Sequence, residues 1–503
     1  MKRVVPALVL GLFGFGACAH HVTTQPVVVP PAHAETAIAH PDPSAPTTVV
    51  EAPRVPRDHD IPAEDTPRPF VLPKPQRARL ACGAELLVVH RPRLPVATIL
   101  AVWPLGAAAD PDGHAGLAAL AADLLTNGAG KRTSLEVATE ADRLGARLGS
   151  EASWDSSVVS LTTLTEKLDP ALALFADVLL RPRFDADEIE RVRNESRTRL
   201  LQLHDQAATQ AALVGARAVY GDNHRYGELA QGSAAGLAAI TRDDLTAWHR
   251  DRLHVSAATI IAVGDVDLGS LRTRLDRVLG RSDGKRKPAP VVARIAPPAL
   301  VRRVVLVDRP GAAQTEVRAF EPGPPRSSPD YFALSVLNTI FGGNFSSRLN
   351  GKLREEKGYT YGARSDFAFR REGGPFSAGA PVKTAVTRAA LVDFLAELER
   401  LRGGDVNATE LTLAKQTMQR SLARQFETPP QIASSLAALK VYGLPDDYFT
   451  TYAARIGAVT AADITHAATA LHPSDMALVF VGDEKLIGPD IKALLGPYTR
   501  VTP

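Results

Sequence analysis

At 503 residues the chain exceeds what one hydrophobic core usually organises and suits two to four domains. Hydrophobic residues make up 45% and charged residues 22%, the balance of a globular protein, and a net charge of +3 with bases scattered among acids gives no case for nucleic acid. Two cysteines, Cys18 and Cys82, exclude a disulfide framework and a thiolate metal cluster.

Residues 1–18 read as an export signal, with Lys2 and Arg3, an apolar run from Val4 to Phe15 and small residues before Cys18. The run is too short for a spanning helix and lacks a stop-transfer pattern. Phe15-Gly16-Ala17-Cys18 is similar to a bacterial lipoprotein processing site; the departure is Phe15, where an aliphatic residue is usual. That resemblance implies a lipidated Cys18 as mature N-terminus and a protein anchored by lipid, expected on the periplasmic face of an outer membrane. Residues 19–75 are rich in Pro, Ala, Thr and Val without periodicity and are expected to form a disordered tether. Its histidines, His20, His21, His33, His40 and His59, follow no ligand pattern.

The remainder is an internal repeat. Glu85 to Pro92 (ELLVVHRP) matches Val304 to Pro310 (VVLVDRP), and the stretch ending at Asp265 matches the one ending at Asp483, 218 positions later. Each half reads strand, glycine-bearing turn, helix, strands, long helices, helix, strand. Leu168 to Leu179 and Ala389 to Leu401 are apolar at helical spacing, and Asp185 to Leu203 and Asn407 to Gln425 alternate charges as exposed helix faces do. Ser156 to Thr163 and Ala257 to Val263 read as strands. The expected fold class is α+β: two homologous halves, 76–282 and 301–503, each a β-sheet with helices packed on one side, joined by a polar, Pro-bearing linker at 283–300.

In the second half, Phe341 to Phe367 (FGGNFSSRLNGKLREEKGYTYGARSDF) combines a glycine turn, a helix-compatible Leu349–Lys357 segment, Gly358 to end it and a strand-favouring Tyr359-Thr360-Tyr361. Arg354 is thus expected to end a helix and Tyr361 to open a strand, so that two donors converge from different elements. Spacing alone also fits a surface turn with a solvated arginine and a packed tyrosine.

SSRL, then LRE, then a glycine, then a tyrosine seven residues after the arginine resembles the C-terminal half of the pitrilysin, insulinase and mitochondrial processing peptidase family. The resemblance spans roughly residues 76 to 503. It implies that the two halves form a clamshell around a chamber in which Arg354 and Tyr361 hold peptide substrate near a zinc ion borne on the other half.

The family also carries His-x-x-Glu-His on a helix, where two imidazoles bind zinc and the glutamate polarises water. In this chain the equivalent helix follows Gly113-His114-Ala115-Gly116-Leu117, and the motif positions hold Ala119, Ala122 and Asp123. One carboxylate beside two alanines makes no three-ligand site. Glu188, Glu190 and Glu195, near where the family supplies its distal ligand, read as helix-surface charges, and His114 as a loop or cap residue. His249 with His254, and His466 with His472, have the wrong spacing for a shared ligand face. Gly128 to Ser134 (GAGKRTS) falls short of a phosphate loop, with Leu125 where a glycine is needed and Arg132 after Lys131. No G-x-S-x-G elbow supports a serine hydrolase.

The resemblance therefore implies a chain without a cofactor of its own: a zinc-free partner subunit of a heteromeric zinc metallopeptidase, whose partners are a zinc-bearing chain of the same family and a peptide substrate. A second reading is a binding or scaffold protein of the same fold, like the core subunits of respiratory complexes in this family. A third is an autonomous peptidase with an unrecognised site. Retained Arg354 and Tyr361 favour the first, because a pure scaffold needs neither.

Overall fold

The computed structural model describes residues 74–222, 224–281 and 301–501. The signal segment with Cys18, nearly all of the tether and the linker lie outside them. The described residues belong to one compact unit, Phe70–Pro503.

Two six-stranded sheets carry the architecture. The first contains β1 (Gln76–Arg79), β2 (Glu85–His90), β3 (Val96–Trp103), β4 (Arg147–Ala152), β5 (Ser157–Leu164) and β6 (Thr259–Gly264). Their spatial order is β1-β2-β6-β3-β5-β4. The second contains β7 (Val304–Asp308), β8 (Gln314–Pro322), β9 (Arg364–Phe367), β10 (Pro375–Lys383), β11 (Ala477–Gly482) and β12 (Thr499–Val501), in the order β12-β7-β11-β8-β10-β9. The five strands β2 to β6 recur as β7 to β11 in the same arrangement, with β2 parallel to β6 and β7 parallel to β11. The helices read from periodicity form as Leu168–Leu180, Ala186–His204, Thr387–Arg402 and Ala408–Arg424.

Strands β6 and β11 are almost entirely apolar and buried, the pattern of strands covered on both faces. One face packs on helices of its own half: Leu86, Val88, Ile99 and Ile260 join Leu120, Leu124 and Phe175. The alternate residues Leu87, Val89, Leu100, Ile261 and Val263 point the other way and meet Ile432, Leu436 and Leu439 of the helix Pro429–Tyr442, which belongs to the second half. The exchange is reciprocal. Val305, Val307, Phe320, Val479 and Val481 are covered by Ala211, Val214 and Val219 of the first half's helix Ala207–Tyr220. Gly215 permits the approach, since a Cβ there would stand 2.3 Å from the Phe320 ring.

The hairpins β4–β5 and β9–β10 also meet across the halves. The Arg370 guanidinium stands 4.2 Å from the Trp154 ring centre and 4.3 Å from that of Tyr226. The Arg371 backbone N–H donates to the Asp155 carboxylate at 3.1 Å.

Candidate functional site

Gly342 and Gly343 turn the chain after the helix Tyr331–Phe341; a Cβ on Gly342 would lie 2.4 Å from the Ser365 nitrogen. The following segment, Asn350–Glu356, is a π-helix rather than the α-helix its charges suggest. Wide turns of this kind recur at functional sites. Leu349 and Leu353 anchor its inner side in the second-half core, and Gly358, at φ +63°, ends it. Asn350 organises the loop. Its Nδ2 donates to the carbonyls of Asn344 (3.1 Å) and Ala363 (2.9 Å) and to Ser347 Oγ (3.2 Å), while its Oδ1 accepts from the Ala363 N–H (2.9 Å).

That anchoring reshapes the segment after Gly358. Tyr361 does not open a strand; β9 begins at Arg364. Asn350 occupies both backbone groups of Ala363, and Thr360 Oγ1 donates to the Gly362 carbonyl (3.0 Å) and accepts from its N–H (3.1 Å). These local bonds compete with a sheet ladder. Tyr359 and Tyr361 accordingly share no strand face: Tyr359 packs half-buried on the second-half core, whereas Tyr361 is 85% exposed.

Arg354 and Tyr361 are nevertheless brought to one pocket of about 320 Å³, lined also by Gln314, Glu355, Tyr359 and Lys383. The Arg354 guanidinium lies 4.3 Å from the centre of the exposed Phe345 ring. Its Nη1 is 3.3 Å from Glu355 Oε1 but buried and without a hydrogen bond among the described residues. The base of the pocket is rigid, because Lys383 N–H donates to the Tyr359 carbonyl at 3.0 Å and Lys383 pairs with Gln314 across β10 and β8.

Ala119, Ala122 and Asp123 lie in the first half, on the helix Leu117–Leu125. Asp110, its side chain fully buried, caps that helix by accepting from the N–H groups of Gly116 (2.7 Å) and Ala118 (2.9 Å), and pairs with Arg225 at 3.0 Å. Ala122 is buried, and its carbonyl accepts from Ser150 Oγ at 2.7 Å. Asp123 Oδ2 stands 3.3 Å from Arg199 on the helix Ala186–His204. Burial pushes the Asp123 carboxyl above its ordinary range, and Arg199 partly offsets this.

Zinc does not fit this donor set. Two positions lack ligand atoms, the third is paired with a guanidinium, and among the described residues no three His, Cys, Asp or Glu side chains are grouped to hold a metal. Glu188 and Glu195 each pair with Arg191 at 2.7 Å, and Glu190 with Arg193 at 3.5 Å. His114 Nδ1 sits 3.1 Å from the Asp112 carbonyl in the preceding turn. The GAGKRTS stretch is structural: Arg132 pairs with Asp177 at 2.6 Å, and Thr133 with Glu136 forms a capping box.

The sequence reading missed Asn350, Arg199 and Lys383. Asn350 left a signal, a buried-type position carrying an amide between Leu349 and Leu353. Arg199 left none, because its contact spans 76 residues.

Residues 86–220 match the model of the insulinase family, peptidase family M16, and residues 239–418 match that of the peptidase M16 inactive domain. An uncharacterized zinc protease of Mycobacterium tuberculosis is 28% identical over 364 residues, 70% of this chain and 80% of that one. The mitochondrial-processing peptidase subunit beta of Lentinula edodes is 24% identical over 278 residues, 52% of this chain and 57% of that one. Among solved structures, a peptidase M16 inactive domain from Pseudomonas fluorescens superposes with a TM-score of 0.72 at 26% identity, over 81% of this chain and 98% of that one. The periplasmic protease PqqL from Escherichia coli gives 0.68 at 15% identity, over 84% of this chain and 49% of that one. With both halves matched by models of one family and both sheets in its fold, the chain belongs to the pitrilysin and insulinase family of peptidases, M16.

Proposed function

We propose that this chain is a zinc-free subunit of a heteromeric M16 metallopeptidase and that Arg354 and Tyr361 serve a peptide-cleavage chamber completed by a zinc-bearing chain of the same family. The observation that carries the reading is the contrast between the two sites. The zinc-motif positions are an alanine, a buried alanine and an aspartate paired across the fold with Arg199, while Arg354, paired with its chain neighbour Glu355, lines one pocket with an exposed Tyr361 phenol. A peptide held across a chamber needs fixed donors on its carbonyls, and a phenol near the scissile carbonyl stabilises the developing oxyanion. Pairing is supported by size: the chain matches about half of PqqL and, at a TM-score of 0.66, 95% of the separately solved first half of that protease.

The scaffold reading is separated from this one by turnover of the assembled pair. The autonomous reading is separated by metal content: alone, the chain is expected to hold no stoichiometric zinc and to cleave no peptide. One zinc per chain with chelator-sensitive hydrolysis would overturn the proposal. We also propose that Cys18 carries a lipid anchor on the periplasmic side of an outer membrane, supported by Lys2, Arg3 and the apolar run before it. Mass spectrometry is expected to find the mature chain starting at an acylated Cys18; an unmodified start elsewhere contradicts it.

A further inference from the structure

We infer that the Arg354 pocket is a carboxylate-selective subsite and that Lys383 sets its preference, so that the peptide it accepts carries an acidic group there. The inference rests on the peptide-chamber reading and names the class of residue that the chamber takes.

The charges decide it. Three ionised side chains line the pocket: Arg354, Lys383 and Glu355. Glu355 is committed to Arg354 at 3.3 Å, and among the described residues Lys383 has no ion pair, so the pocket keeps one uncompensated cation. The Arg354 guanidinium, whose Nη1 is the nitrogen facing Glu355, adds its remaining N–H groups. Gln314 faces the same space from the strand position paired with Lys383, and supplies an amide. A ligand bearing a carboxylate satisfies all three groups; a cationic one meets Lys383 unfavourably, and a neutral one leaves it as it is.

The backbone that carries Lys383 is held in place. Lys383 is the last residue of β10 and is fixed on both sides by backbone bonds, its own N–H to the Tyr359 carbonyl at 3.0 Å and the Thr384 N–H to the Ala313 carbonyl at 3.1 Å. Phe345 holds the guanidinium from the outside, and Tyr361 walls the open edge. A volume of about 320 Å³ suits one or two residues of a peptide, not a folded partner. The carboxylate has two sources, an Asp or Glu side chain or a peptide C-terminus, which share this chemistry.

The test is fluorescence anisotropy with the purified chain and one labelled peptide made with Glu, Gln or Lys at a single position, each as C-terminal acid and amide. The Glu peptide is expected to bind roughly tenfold tighter than Gln, with Lys weaker still, a gap that Lys383→Gln removes, Lys383→Arg restores and Lys383→Glu inverts. A gap between acid and amide instead assigns the subsite to a C-terminus. Lys167→Gln, on a surface turn of the first half and outside the pocket lining, controls for net charge. Equal binding of all peptides, or a preference unchanged in Lys383→Gln, overturns the carboxylate assignment while leaving the chamber reading in place. Failure of the native chain to bind any of them also overturns the carboxylate assignment, while the chamber reading stands or falls separately by turnover of the assembled pair.

Discussion

Asp123 and Arg199 form an ion pair of 3.3 Å at the centre of the altered zinc motif, with Arg199 reaching over from the helix Ala186–His204. The contact explains how the motif position tolerates a part-buried carboxylate, since breaking a buried pair leaves an uncompensated charge. It also opposes reversion: restoring histidines at 119 and 123 leaves the Arg199 guanidinium beside position 123, where its charge repels a metal cation. Ala119→His with Asp123→His is therefore expected to bind zinc no better than the native chain, and the triple variant adding Arg199→Glu to bind it measurably by calorimetry. Tight zinc binding by the double variant would show that Arg199 does not control the site.

The exchanged helices predict coupled unfolding. Leu436→Ala removes a side chain from the second half that is buried on the first half's sheet, and is expected to cost about 2–5 kcal/mol. Gly215→Ala drives a methyl into the Phe320 ring and is expected to cost about 1–3 kcal/mol. Calorimetry is expected to show both variants shifting one shared transition. Separate melting of the halves, with one insensitive, would contradict the exchange.

Glu321 gives a pH signature. It is buried at the end of β8, its carboxyl pushed up to about 8 by burial, with His472 N–H donating to Oε2 at 3.0 Å, the His472 ring 3.3 Å away and Oε1 without a partner. Asp475 adds a like charge. The folded-state value lies above the unfolded one of about 4.3, so the stability contributed by the protonated acid is complete below about pH 4.3 and is lost as pH rises through about 8. Glu321→Gln, which cannot ionise, is expected to resemble the native chain at pH 4 and to melt higher at pH 9. Equal melting shifts at both pH values would contradict this.

How much the sequence disclosed depends on the range of the interaction. The repeat was legible because β2 to β6 and β7 to β11 carry the same apolar runs, and the long helices because their spacing is local. The pairing of Arg354 with Tyr361 was legible from their motif, yet the path between them was not. A tyrosine-rich segment favours strand until Thr360 closes on Gly362 and Asn350, 13 residues before Ala363, takes up that residue's backbone. The exchange was not legible: each sheet was expected to carry helices on one side, and nothing in Ala207–Tyr220 says that it covers the other half's sheet. Arg199 and Lys383 look like ordinary surface charges until the fold sets Asp123 beside one and Arg354 near the other.

The central claim is that Arg354 and Tyr361 act on a peptide, and it is tested most directly by the turnover of the assembled pair carrying Arg354→Ala or Tyr361→Phe here and an unaltered zinc-bearing partner. Loss of one donor from a chamber that the partner closes over the exposed Tyr361 costs on the order of 3 kcal/mol in the transition state, so turnover is expected to fall roughly a hundredfold while folding and partner binding persist. Tyr359→Phe is the control, because Tyr359 contributes its backbone carbonyl and a packed ring to the pocket, and is expected to change turnover little. Unchanged turnover for both Arg354→Ala and Tyr361→Phe in a verified complex would contradict the account and leave the chain as a scaffold of the same fold.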